Sequence, residues 1–361
     1  MISDDYYFMT VALNHARRGL GFTAPNPSVG CVIVKDGRIV AAASTAPSGG
    51  RPHAETVALA QAGIDAKGAC AYVTLEPCAH HGQTGPCAQA LIDAGIRRVV
   101  VACIDPDLRV SGRGIKMLQD AGIEVVQGAL EREARELNRG FFLKISQHRP
   151  LVTLKIAVSA DQKISAAKGQ RTQISGDLAN RYMHVLRSQH DAVLVGIGTV
   201  LVDNSLLTAR VEGQKKVMTR IVLDHRLEIP LESALVQGAK SDPVLVFYNQ
   251  GSVDKIEDLL RKGCELIPQD PHDLKAVLGI LAERGITRLL VEGGAKIHTA
   301  FLKFGLVDEF QLIRSPKILG AYGVPALGGY DLAVLEADFG LKLQKTRNLG
   351  EDLLEFYRSS A

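Results

Sequence analysis

No apolar run in this 361-residue chain approaches the roughly 18 to 20 residues that span a bilayer. The N-terminal MISDDYYFMT is acidic where a secretion signal would be basic. Both absences argue against a membrane or exported protein, and the expected location is cytoplasmic. Charge of one sign is missing too. The net charge is +3 and the basic residues are scattered rather than gathered into a stripe, which is a poor footprint for nucleic acid. A small phosphorylated ligand needs only a few local cations and is not excluded. Cysteine is sparse: six in a chain of this length, without an export signal, read as thiols or metal ligands rather than a disulfide framework. Cys31, Cys70, Cys103 and Cys264 lie in apolar stretches such as VGCVIV and VVVACI, where a thiol behaves as a small core residue. Internal repeats and low-complexity tracts are absent.

The hydrophobic share of 46% and charged share of 22% are those of a globular protein. At roughly 150 residues per domain the length implies two cores. SDDYYFMTVALNHARRGLG reads as an amphipathic helix, and VGCVIV and RIVAAAS flank Lys35-Asp36-Gly37 as a hairpin. HAETVALAQAG, CAQALIDAG and GRGIKMLQDAG read as helices, and CAYVTL, RRVVVACI and IEVVQG as strands, an alternation that implies a largely parallel sheet covered by helices. One charged helix, LEREARELNRGFFLKIS, leads to a boundary near Gln147 to Pro150, giving domains 1–148 and 149–361. The second half repeats the α/β theme: LVTLKIAVS, DAVLVGIGTVL, TRIVLD, PVLVFY, CELIP and TRLLVEGG are expected strands, with VDEFQLIRSPKIL and DLLEFYRS as late, antiparallel candidates.

The chemistry concentrates in PHAET and LEPCAHHGQTGPC. His53, Cys78 and Cys87 are three soft or borderline ligands that suit tetrahedral Zn2+ and leave a fourth position open, the mark of a catalytic site. Cys87 follows Pro86 at the start of a helix and His53 stands at the start of another, so two helix N-termini favour thiolates there. Glu55, beside a ligand but not itself one, fits the proton carrier that hydrolytic deamination requires. This is the H-x-E…P-C…C pattern of zinc deaminases acting on nucleobases, with the usual C-x-x-C stretched to C-x8-C. A closed structural site, with His80 or His81 as fourth ligand, is the bland alternative. His80 otherwise contacts substrate or solvent.

In the second half VEGGAKIHTAFL is a strand, a glycine pair and a helix that offers free backbone N–H groups to a phosphate. VGIGTVL lacks the third glycine of the dinucleotide fingerprint, so no nicotinamide cofactor follows from these residues alone.

Taken together, APNPSVGCVIVKDG, PHAET, AYVTLEPCAHHG, GPC, DPDLRVSGRGI, LNRGFF, LKIAVSADQKI, LRSQHDAVLVGIGTVLVDN, LLTAR and LVEGGAKIHTAFL resemble the bifunctional riboflavin-biosynthesis deaminase-reductase family over nearly the whole chain. The resemblance implies a cytidine-deaminase-like α/β/α zinc domain followed by a dihydrofolate-reductase-like α/β domain. The first would deaminate a diaminopyrimidinone ribosyl phosphate, and the second would reduce its ribose to a ribityl chain with NADPH. It implies no membrane or nucleic-acid partner, only a small phosphorylated pyrimidine substrate and further copies of the chain in a homo-oligomer. By likeness Asn26 meets the pyrimidine edge, which its amide suits as both donor and acceptor. Lys155 and Glu292 act on the opening ribose, and Arg187, Leu207, Arg210 and Glu292 fall on the substrate side. Two arginines suit a phosphate, whose oxygens the guanidinium fork binds bidentately. Ala157, Gln173, Thr199, Asp203 and the run Gly294, Ala295, Lys296, Ile297, His298, Thr299 and Ala300 fall on the cofactor side.

The chain departs from the family at Ala46, Ala79 and Gln83 in the deaminase half, where relatives carry His, Ser and a cation, so Arg51 becomes a candidate for the phosphate. In the reductase half Asp161-Gln162 replaces Asp-Gly, and Gln173 replaces a frequent tryptophan. These changes raise a rival reading, in which the C-terminal half only binds substrate or oligomerises. A zinc-stapled nucleotide-binding protein without catalysis is a third.

Overall fold

The computed structural model describes residues 3–359 except 81–84, 108–110 and 215, so His81 and Gln83 lie outside the described residues. Contacts divide the chain into two compact units, Met1–His148 and Arg149–Ala361.

In the first unit β1 (Gly30–Lys35) and β2 (Arg38–Ser44) form an antiparallel hairpin. Its turn residues Asp36 and Gly37 have φ of 49° and 74°, the left-handed pair that a two-residue turn with the twist of its strands requires. β3 (Cys70–Val73), β4 (Arg98–Val101) and β5 (Glu124–Gln127) complete the order β2-β1-β3-β4-β5 among the described residues. β3, β4 and β5 run parallel, while β1 is antiparallel to both its neighbours. The sheet is therefore mixed rather than largely parallel. Every residue of β3 is buried, so both its faces are covered. Helix Ser3–Arg17 lies so close to β1 that a Cβ on Gly30 would stand 1.9 Å from the Ala12 carbonyl oxygen.

The single charged helix expected over residues 130–146 is divided into Glu131–Leu137 and Arg139–Gln147. Asn138 sits between them at φ −98° and ψ 18°. Its buried amide accepts from Ser28 N at 2.9 Å and donates to Ser28 O at 3.0 Å. A side chain that pairs both polar groups of a distant residue overrides local helix propensity here.

The second unit holds β6 (Leu151–Val158), β7 (Lys163–Ser165), β8 (Ala192–Gly196), β9 (Thr219–Leu223), β10 (Val244–Phe247), β11 (Glu265–Ile267), β12 (Arg288–Val291), β13 (Glu309–Arg314), β14 (Val324–Pro325), β15 (Leu341–Leu349) and β16 (Asp352–Ser359). The main sheet has the order β11-β10-β9-β8-β12-β6-β13-β16-β15, parallel through β13 and antiparallel at β16 and β15. β7 and β14 pair separately. Two sequence expectations change. DAVLVGIGTVL is strand only to Gly196, which becomes the N-cap of helix Ile197–Asp203; in that helix only Val200 is buried, a helical rather than alternating pattern. VDEFQLIRSPKIL contains β13, antiparallel to β16 but parallel to β6. Among the described residues no helix is long and apolar enough to cross a membrane.

Candidate active sites

His53 is the N-cap of helix Ala54–Ala62, with extended backbone and no capping bond from its side chain, which leaves the imidazole to the cysteines. Cys87 opens helix Cys87–Asp93 behind Pro86, and Cys78 lies in the loop after β3. The ligand atoms of all three lie within 4.8 Å of one another. His53 Nδ1 is 3.2 Å from Cys87 Sγ and 3.7 Å from Cys78 Sγ, and Cys87 N donates to Cys78 Sγ at 3.3 Å. Tetrahedral zinc with ordinary bond lengths spaces nitrogen and sulfur donors by about 3.5 Å, so the donor set fits that ion in type and in spacing. Contact between the two thiols lowers the Cys78 pKa and raises that of Cys87. His53 is raised chiefly by its bond with Cys78.

Glu55, in the first turn of the same helix, is 3% exposed. Burial raises its pKa to about 7, against the opposing pull of His53 and a bond with Cys87. A carboxyl poised near neutrality can both take and give a proton at physiological pH. His80 is exposed and stands outside the ligand group, so among the described residues nothing closes a fourth position. Asn26 donates to Gly49 O at 2.5 Å, and Gly50 packs so tightly that a Cβ there would meet Asn26 Cβ at 2.6 Å. The PNP turn is thereby tied to the segment just before PHAET. Ala46 caps the short helix Pro47–Gly50, and its N–H donates to Pro52 O at 3.1 Å.

The sequence reading missed Glu76. Its buried carboxylate accepts from Gly112 N, Gly114 N, Ile115 N and Asp105 N at 2.9 to 3.4 Å, which ties Asp105 and residues 112–115 to the segment just before Cys78. A Cβ on Gly114 would lie 1.9 Å from Pro77 O, so this glycine permits the approach. The available signal was an acid inside an apolar strand exit, two residues from a metal ligand.

In the second unit Glu292, at the end of β12, receives the Arg187 fork at 2.6 and 2.7 Å, and Arg187 Nη1 also donates to Thr208 O at 3.1 Å. Both partners are only 12% exposed. Arg187 is therefore engaged by a carboxylate rather than held open for a phosphate. Burial lowers the Lys155 pKa, while Glu292 opposes that shift and Arg187 adds to it, which places the three charges in one electrostatic group. Arg210 is exposed; its backbone N–H and Nη2 approach the two ring nitrogens of His184 at 3.3 and 3.0 Å. Leu207 is buried at φ 52°. Arg220 is 1% exposed and donates to the carbonyls of Leu206 and Gly238, which anchors the LLTAR segment from below; it too was missed.

On the expected cofactor side, Ile297 fills the space that side chains on two glycines would occupy: a Cβ would meet it at 2.5 Å from Gly293 and 2.9 Å from Gly196. The end of β8 and helix Ala295–Lys303 thus approach closely. A Cβ on Gly198 or Gly294 meets nothing within 4 Å, so both helix starts border open space. Free N–H groups beside open space at a nine-residue helix fit a dinucleotide phosphate. Thr199 and Asp203 lie on helix Ile197–Asp203, and burial raises the Asp203 pKa against Arg171. His298 is 3% exposed, with Nδ1 3.4 Å from Ala326 O, so its ring is core rather than lining. Thr299 Oγ1 accepts from Gly328 N at 2.8 Å. Gln173 is exposed and its carbonyl accepts from Lys317 Nζ at 2.9 Å. Ala157 is part of β6, beside β13.

A His-Cys-Cys donor set suited to zinc, with a buried glutamate beside it, defines a zinc deaminase of the nucleobase class, and the α/β domain that follows offers a helix start suited to a phosphate. Comparisons agree. Residues 2–103 match the cytidine and deoxycytidylate deaminase zinc-binding region, and residues 150–354 match the RibD C-terminal domain. The riboflavin biosynthesis protein RibD of Aquifex aeolicus is 43% identical over 354 residues, 98% of each chain. The structure of Acinetobacter baumannii RibD superimposes with a TM-score of 0.89 at 37% identity, covering 99% of each chain. A Thermotoga maritima diaminohydroxyphosphoribosylaminopyrimidine deaminase/5-amino-6-(5-phosphoribosylamino)uracil reductase gives 0.87 at 34% identity over 98% of each. The chain belongs to the RibD family, whose members couple a zinc-dependent deaminase to an NADPH-dependent reductase in riboflavin biosynthesis. Full-length likeness to a deaminase/reductase speaks against a merely binding second half.

Proposed function

We propose that the first domain deaminates diaminohydroxyphosphoribosylaminopyrimidine and that the second reduces the ribosyl group of 5-amino-6-(5-phosphoribosylamino)uracil. The observation that carries the reading is a buried Glu55, two residues from His53 and in contact with Cys87, beside the His53–Cys78–Cys87 donor set. Zinc held by His53, Cys78 and Cys87 would lower the pKa of its water toward about 7. Glu55 takes the proton of the attacking water as the C–O bond forms and delivers it to the departing amine, so ammonia leaves and the carboxylate is regenerated. Asn26 orients the pyrimidine edge through its amide, and His80 stands at the exposed rim of the site.

In the reductase NADPH, when bound, supplies the hydride. Lys155, whose burial disfavours its charge, gives a proton to the ribose ring oxygen as the C1′–O bond opens. Glu292 and Arg187 hold that lysine in register as a fixed pair. Arg210, with its exposed guanidinium, is the phosphate contact this reading favours. A cytoplasmic homo-oligomer accompanies the proposal, and light scattering on the purified protein tests the assembly. One coupled assay tests the function: the diaminopyrimidine substrate should release ammonia and then consume NADPH. Absence of NADPH oxidation with the deaminated uracil substrate would remove the second activity, and absence of ammonia release the first.

A further inference from the structure

A second group of metal-ligating side chains stands in the reductase domain, apart from the residues assigned to catalysis. His225 lies two residues past the end of β9, and Asp270 and His272 lie in the turn between β11 and helix Leu274–Glu283. β10 separates β9 from β11 in the sheet, so the three residues bridge the two strands that flank β10, beyond their carboxyl ends. His272 Nδ1 is 2.9 Å and His225 Nδ1 is 3.5 Å from the same oxygen, Asp270 Oδ1. The donor atoms of all three lie within 4.8 Å of one another. Neighbouring donors around a cation with bonds near 2.1 Å stand about 3 to 3.5 Å apart, close to the two distances to Asp270.

The ligands are held from the backbone. The His225 carbonyl accepts from Asn249 N and Gln250 N at 3.1 and 2.9 Å, and Asp270 Oδ1 accepts from His272 N at 3.0 Å. An internal hydrogen bond accounts for His272 and Asp270 without any cation. His225 is held less well: its Nδ1 is buried and reaches only the same Asp270 Oδ1, at 3.5 Å, an oxygen that His272 already engages. A poorly satisfied buried nitrogen is unfavourable, and a cation shared with Asp270 satisfies it.

We propose that His225, Asp270 and His272 bind a divalent transition cation of the Zn2+ class, separate from the zinc of the deaminase. Two imidazoles and one carboxylate are a borderline nitrogen-rich set, unsuited to Ca2+ or Mg2+, which need more oxygen ligands. The cation clamps β9 to β11 across β10 and, because the unfolded chain lacks the site, stabilises the folded domain. His272 is 75% exposed, so this ion exchanges more freely than one at His53.

The test uses the full chain, stripped by chelator and dialysed against graded Zn2+. Wild type should take up two equivalents, and Asp270→Ala and His272→Ala one each, with ammonia release unchanged in both. The second equivalent should raise the thermal midpoint of wild type and not of the variants. With Co2+ in place of Zn2+, the equivalent lost in the variants should lack the thiolate-to-metal charge-transfer bands that the cysteine site gives. Saturation of wild type at one equivalent overturns the proposal, as does retention of two by either variant or thiolate bands on the lost one.

Discussion

The deaminase site is gathered from short segments, PHAET and the cysteine loop, whose residue types alone announce a metal. The residues proposed for the reductase, Lys155, Arg187, Arg210 and Glu292, come from a strand, a helix, a loop and a strand end far apart in the chain, and the charges of Lys155, Arg187 and Glu292 already act on one another. Coordination chemistry restricts ligands to a few residue types at fixed spacings, so a zinc site leaves a signature in sequence. Hydride transfer asks mainly for a shaped, water-free surface, which many side chains can build. The first site is thus defined by identity and the second by packing and charge balance.

The comparison breaks most sharply at Glu55. Glu55→Gln keeps size and removes the exchangeable proton, and ammonia release should fall by about 10²- to 10⁴-fold. NADPH oxidation with the deaminated substrate should stay within about twofold of wild type. Equal losses in both assays would mean that the substitution damages folding rather than proton transfer.

Glu292 tests the charge-balanced site. Glu292→Gln leaves Arg187 and Lys155 buried without their carboxylate, which is unfavourable by about 3 to 5 kcal/mol. Urea unfolding should show that loss together with loss of NADPH oxidation. Arg187→Met with Glu292→Leu removes the pair as a unit. It should recover the part of the stability that Arg187 loses, with Lys155 still lacking its carboxylate, and none of the reductase activity, separating what the pair does for the fold from what it does for the ribose.

Legibility from sequence followed the same divide. The Lys35-Asp36-Gly37 turn and the ligand triad are visible because a left-handed turn and a zinc ion each accept few residue types. β15 was not anticipated: in LKLQKTRNL every residue between Leu341 and Leu349 is exposed, so the strand carries no apolar alternation and exists through pairing with β16. The break at Asn138 depends on Ser28, 110 residues away, and Glu76 on backbone groups 29 to 39 residues away. No window on the sequence contains those partners. The engagement of Arg187 by Glu292 is hidden for the same reason, which is why a phosphate was the natural reading of its guanidinium.

Acid sharpens the comparison further. Burial lowers His298 to about 4 and His190 to about 3, from an ordinary value of 6.5. Both stay neutral in the folded reductase domain while the unfolded chain protonates them below pH 6.5. Their contribution is full above that pH and declines as pH falls toward the folded values, by about 1.4 kcal/mol per unit for each. Unfolding of this domain in urea at pH 5 should therefore be easier than at pH 7 by about 2 kcal/mol for each histidine. His298→Gln should flatten the slope, and an unchanged slope would locate the acid sensitivity elsewhere.

The smallest effect is expected at Gln162, where the family resemblance leads one to expect glycine. Its φ of 59° lies in the left-handed region, unfavourable for a side chain by about 1 kcal/mol. Against this, Gln162 Oε1 accepts from Leu332 N at 3.1 Å and its amide contacts Asp331. A hydrogen bond of this kind contributes about 1 kcal/mol. Gln162→Gly removes both the strain and the bond, so its thermal midpoint should match wild type. Gln162→Ala keeps the strain and loses the bond, and should unfold about 1 kcal/mol more easily. If alanine matched wild type and glycine were more stable, the side chain would be contributing nothing. In this reading the glutamine supplies by contact what glycine supplies by conformational freedom, and NADPH oxidation should be close to wild type in both variants.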